Sequence, residues 1–104
     1  MATRANGVNI TTANLTTTVD TVGTSGGTYS IQIVNRSADS DCTVQLGLSA
    51  TNSFEDARRI LHNESLSAGA QMTYSPIVCE GSDKVLAQAS ITNVNFLLMG
   101  HDEA

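Results

Sequence analysis

Along residues 29–35, Tyr29, Ile31 and Ile33 are separated by Ser30 and Gln32. A period of two is that of a strand with one face in a core. The same period returns in residues 42–49. There Val44, Leu46 and Leu48 point one way and Thr43, Gln45 and Gly47 the other, with Cys42 on the apolar side. Between the two runs lies the polar stretch "RSADSD", which reads as a turn in which Asn35 and Arg36 tie loop backbone or a partner. In the last apolar run Val94, Phe96 and Leu98 share one face, and Asn95, Leu97 and Met99 the other. "KVLAQAS" and "VNFLLMGH" together predict a hairpin that turns at residues 91–93.

Weaker signals fill the remainder. Residues 8–22 are Thr-rich, with Leu15, Val19 and Val22, and suit an extended arm or an edge strand. "GTSGG" is a turn, because consecutive glycines reach positive φ at little cost. Ser53 followed three residues later by Asp56 predicts a single helical turn. "RRILHNESL" leads into a strand and "SAG" turns the chain. "AQMTYS" and "PIVCE" are two short strands or one bent strand interrupted at Pro76. "GSD" is a further turn. About seven to eight short strands at this spacing predict an all-β fold, a single antiparallel β-sandwich of Ig-like or jelly-roll-like form. Residues 1–22 are its extended N-terminal arm or edge strand and residues 23–104 the sandwich domain.

Composition narrows the function. The 104 residues suffice for one domain. Aromatics are 4% and Trp is absent, so the core is aliphatic. The net charge is −5, with Lys84 the single lysine and arginines at positions 4, 36, 58 and 59. Nucleic-acid binding requires cations that neutralise phosphates, and no basic stripe supplies them. No apolar run nears the roughly 20 residues of a membrane helix. The first residues lack the apolar centre of a secretory signal, which predicts folding in a cytosol. Cys42 and Cys79 read as two small buried apolar residues, with one disulfide as the alternative.

Candidate chemistry is sparse. His62 and His101 stand in no ligand spacing. Asp39 and Asp41 are too few oxygens for a calcium loop and read as a turn. Neither a nucleophile elbow nor a phosphate-cradling glycine loop before a helix is present. The chain is therefore expected to be no enzyme and to carry no cofactor and no metal. Local ion pairing accounts for Glu55 and Asp56 beside Arg58 and Arg59, and a contact patch for a protein partner is the functional alternative. Phe54 is the one aromatic that suits a sugar platform. If Phe96 and Leu98 face the core, Leu97 and Met99 face outward, and Leu86 joins them across the expected hairpin. Such a face is either covered within the domain or meets another subunit. The expected interface is thus Leu86, Leu97, Met99, Arg58, Arg59 and Phe54, with the Thr-rich arm adding to a neighbour's sheet edge.

The succession "TYSIQIVNRS", "CTVQLGLS", "RRILHNESLSAGAQMTYSPIVCEGSDKVLAQAS" and "VNFLLMG" resembles small β-sandwich virion structural proteins of tailed bacteriophages. In that group a strand ends in an Asn-Arg pair, as at Asn35 and Arg36. An "L-x-a-G" turn follows, as at residues 66–69, then a "g-D-K-V" turn, as at residues 81–85. The last strand closes near a glycine, here Gly100, before an acidic tail. The likeness spans about residues 28–103. The cysteines and "LHNES" depart from it, and the N-terminal arm lies outside it. It implies a structural virion component without an active site, assembled in the host bacterial cytoplasm. Its partners would be the major capsid protein or tail proteins and further copies of itself, a trimer among the options. A capsid decoration or cement subunit is the leading expectation. A tail-associated collar, tube or fibre accessory is the second, and a host-surface glycan-binding module the third.

Overall fold

The computed structural model describes residues 3–103. Eight strands follow one another: β1 (Thr3–Asn9), β2 (Thr17–Thr21), β3 (Gly27–Asn35), β4 (Cys42–Ser49), β5 (Arg59–Leu66), β6 (Gln71–Cys79), β7 (Lys84–Ala89) and β8 (Val94–Asp102). One 3-10 turn, Asp56–Arg58, interrupts them, close to the helical turn expected from Ser53 and Asp56. The strands form two four-stranded sheets of order β1-β8-β3-β6 and β2-β7-β4-β5. All pairings are antiparallel.

This order decides between the two sandwich types. An Ig-like sandwich keeps its first two strands side by side in one sheet. Here β1 and β2 lie in different sheets, and the first strand pairs with the last. Every connection except β4 to β5 passes from one sheet to the other. The result is a jelly roll, eight strands in two sheets of double Greek-key type.

This topology overturns one expectation and decides between the alternatives of another. The anticipated β7–β8 hairpin does not form, because β7 pairs with β2 and β4 while β8 pairs with β1 and β3. The stretch expected as an extended arm or an edge strand takes the second form and is built into the sandwich. Residues 3–9 and 17–21 are edge strands of the two sheets and pair within the chain. A boundary at residue 22 would cut through both sheets. In "TRANGVN" the inward positions Arg4 and Asn6 are polar, so alternation of hydrophobicity alone could not reveal a strand there.

The core is aliphatic, as the composition requires. Ile31, Ile33, Val44, Leu46, Val85, Val94, Phe96 and Leu98 are fully buried between the sheets. Pro76 sits in β6, an edge strand, where a missing amide donor is tolerated, and the β3–β6 register shifts nearby. Gly26 closes the turn before β3 at φ +72°, where a Cβ would run into the Cys79 carbonyl oxygen.

Candidate interaction surface

Three polar constructions hold the two outer faces in place. The first ties the chain ends across the sandwich. Arg4 on β1 presents its Nε to both Asp102 oxygens at 2.6 and 2.8 Å, and its Nη1 to Asp20 of β2 at 3.0 Å. The Tyr29 hydroxyl donates to Asp102, and the Asn6 amide donates to Asp20 at 2.8 Å. The Arg4 guanidinium and then the Tyr29 hydroxyl hold the Asp102 carboxyl down at about 2. Burial, followed by the Asp102 contact, pushes the Tyr29 phenol up. Sequence reasoning missed this cluster, since its members are far apart along the chain and carry no local motif.

The second construction is the expected tie at Asn35, whose side chain is completely buried. Its Nδ2 donates to the carbonyls of Ser40 (2.9 Å), Leu66 (3.2 Å) and Ser67 (3.3 Å), and its Oδ1 accepts from the Ser37 amide at 3.0 Å. One amide thus organises the 36–41 loop and the β5–β6 turn. Arg36 next to it points outward and forks onto Asn95 at 3.1 Å and Asn9 at 2.9 Å.

The third construction covers the outer face of the β2-β7-β4-β5 sheet. The loop after β4 folds back so that Phe54 lies over Gly47, where a Cβ would stand 3.0 Å from the ring. Glu55 accepts from the Ala50 amide at 2.8 Å and from the Ser49 hydroxyl at 2.9 Å, and those bonds lower its pKa. Arg59 stacks on the Phe54 ring at 4.5 Å and donates to Gln45, while Arg58 turns to Asp83. Leu86 is the register partner of Gly47 and is wholly buried. Its expected exposure is thereby corrected: it does face away from the core, but the chain's own loop covers it. The structure gathers Phe54, Arg59 and Leu86 in this cover, with Phe54 half-buried instead of standing free as a sugar platform.

Leu97 and Met99 belong to the other sheet. The register lines up four rows on the outer face of β1-β8-β3-β6. At one end Asn9, Asn95, Val34 and Gln71 lie abreast. Next come Gly7, Leu97, Gln32 and Thr73, then Ala5, Met99 and Ser30. Thr3, His101, Thr28 and Val78 complete the face. None of these is Asp, Glu, Lys or Arg. Leu97 and Met99 form its half-buried apolar centre, and Leu97 leans over Gly7. Val78 is 70% exposed. Arg36 reaches over one end of the face through its contacts with Asn9 and Asn95. At the other end the Glu103 amide continues the ladder onto the Gly26 carbonyl at 2.8 Å, and the alternation past inward Asp102 brings exposed Glu103 to the outer side. Glu80 lies in the turn, where its amide donates to Asp83, the partner of Arg58.

The other candidates are dispersed. His62 is exposed on β5 and His101 on the outer face just described. Asp39 and Asp41 lie in the 36–41 loop, where Asp41 accepts from the Ala68 amide at 2.9 Å. Among the described residues, no three His, Cys, Asp or Glu side chains converge in a way that could hold a metal ion. Cys42 and Cys79 are both buried and unpaired.

No protein-family model matches the chain. No curated protein matches it either. Among solved structures it is similar to two crystal structures of pentameric capsid proteins isolated from metagenomic phage sequences. Each superposes with a TM-score of 0.52 at 13% identity over 94% of this chain. The match covers 63% of one and 62% of the other, so the chain spans less than two thirds of their length. At this identity the likeness is one of fold.

Proposed function

We propose that this chain is a structural subunit of a bacteriophage virion and acts by assembly, without catalysis. The observation that carries the reading is the jelly-roll fold of this chain, 94% of which superposes on pentameric phage capsid proteins. The dispersed histidines and the aliphatic, side-chain-filled interior favour a scaffold over an active site.

The finer proposal is a capsid decoration or cement subunit that binds the shell surface, and that meets neighbouring copies through the face centred on Leu97 and Met99. Its partners are the major capsid protein and further copies of this chain. Virion assembly in the host cytoplasm is part of the same reading. The domain carries no fibre repeat, which favours decoration over a tail collar or fibre accessory. Phe54, lying against Gly47 beneath Arg59, weighs against the glycan-binding alternative.

Electron microscopy of particles assembled with and without this subunit tests the proposal. Regular added density on the shell, lost when the subunit is omitted, is the expected result. Density confined to the tail would replace decoration by the tail role. Particles that never retain the subunit would overturn both.

A further inference from the structure

We propose that the outer face of the β1-β8-β3-β6 sheet binds a second copy of this chain, face to face and with strands antiparallel, so that Arg36 of each copy meets Glu103 of the other. This rests on the reading of the chain as an assembling subunit and names the surface and the partner.

Charge is the first argument. The chain carries −5, yet the four rows of this face contain no Asp, Glu, Lys or Arg. Two acidic copies repel through most orientations. This face lets them approach without placing like charges in contact. The opposite outer face carries Lys84 and Arg59 and is already covered by the Phe54 loop.

Polarity along the strands is the second argument. Arg36 marks one end of the face, and Glu103 the other. A two-fold axis in the interface plane and perpendicular to the strands sets each end against its opposite, so the complementary contact occurs twice. An axis along the strands would oppose Arg36 to Arg36 and acid to acid.

Area is the third. Four strands about 4.8 Å apart and about nine residues long give a face of roughly 19 by 30 Å in projection. That is about 570 Å² before side-chain relief is counted, near the roughly 600–1,000 Å² per partner of a specific interface.

Sedimentation and native mass measurements on the full chain test the proposal. The wild type should dimerise at micromolar concentration. Arg36→Glu and Glu103→Arg should each self-associate at least roughly tenfold more weakly, and their equimolar mixture should regain wild-type association. Arg36 also serves its own fold, so Gln32→Glu, nearly isosteric and beside Leu97, provides a second variant. It should weaken association by roughly tenfold or more, since two like charges would be desolvated in the contact. Ser65→Glu, exposed on β5, should leave association unchanged.

A wild type that stays monomeric, a mixture that associates no better than its components, or a Gln32→Glu variant that dimerises like the wild type would each overturn the proposed contact. A monomeric wild type would leave the virion role standing, because that role is read on particles. Particles that never retain the subunit would remove the virion role without touching the dimer.

Discussion

The Arg4 guanidinium and the Asp102 carboxylate meet at 2.6 Å and join the first strand to the last. β1 is an edge strand with few apolar inward residues, so its attachment leans on this pair, on Asp20 and on the β8 ladder. The contact also places a titratable group under a chain terminus.

Acid should therefore release β1 first. Asp102 has its folded pKa depressed to about 2 from an ordinary 3.8. Its contribution is present above pH 4 and is lost as pH falls from 4 towards 2. Asp102→Asn should lower the melting temperature at pH 7. The gap between variant and wild type should close as both are titrated to pH 2. A gap of constant size across that range would show that the carboxylate charge does not supply the effect.

Asn35 supplies the second prediction. It is fully buried and satisfies three backbone carbonyls and one amide. Asn35→Ala should cost about 2–3 kcal/mol in urea unfolding, from the polar groups left without partners. Asn35→Asp should cost more at neutral pH, because a carboxylate would face carbonyl oxygens. Part of that loss should return in acid as the carboxyl becomes a donor. Equal unfolding midpoints for wild type and Asn35→Ala would refute the argument.

Which parts of this fold could be read beforehand follows from range. Strands β3, β4 and β8 were legible because their alternation is intrinsic to each segment. The inward direction of Cys42, Phe96 and Leu98 followed from the same parity. Partner choice was not legible. Adjacent segments such as β7 and β8 read as a hairpin, but in a jelly roll neighbours in sequence are divided between sheets. Leu86 shows the consequence: its parity was right and its exposure wrong, because a loop from residues 50–58 covers it. The Arg4, Asp20 and Asp102 cluster spans 98 positions and exists only once the sheets are stacked.

Phe54 gives the third prediction. Its ring covers Gly47 beside Leu86 and bears the Arg59 guanidinium. Phe54→Ala should destabilise by about 1–3 kcal/mol, less than a fully buried Phe because the ring is half-exposed. Gly47→Val should be harmful through the same contact, since its side chain would displace the ring. In the double variant Gly47→Val/Phe54→Ala the two losses should fall short of their sum, as expected for residues in contact. Strict additivity in denaturant titrations would separate the two sites.

The cysteines give the fourth. Burial first, then the Asp83 charge, pushes the Cys79 thiol up to about 12, and burial likewise raises Cys42. Neither thiolate is accessible in the native state, so a thiol reagent at pH 8 should modify both only as fast as the fold opens. The sign of the pH effect follows from the raised value. Cys79 contributes its full stability below pH 9, the ordinary thiol value, and that contribution falls as pH rises from 9 towards 12. Cys79→Ala should trim packing at neutral pH and flatten part of the alkaline loss of stability. Rapid labelling of both thiols in native buffer, with melting unchanged, would mean that the ends of β4 and β6 are open to solvent.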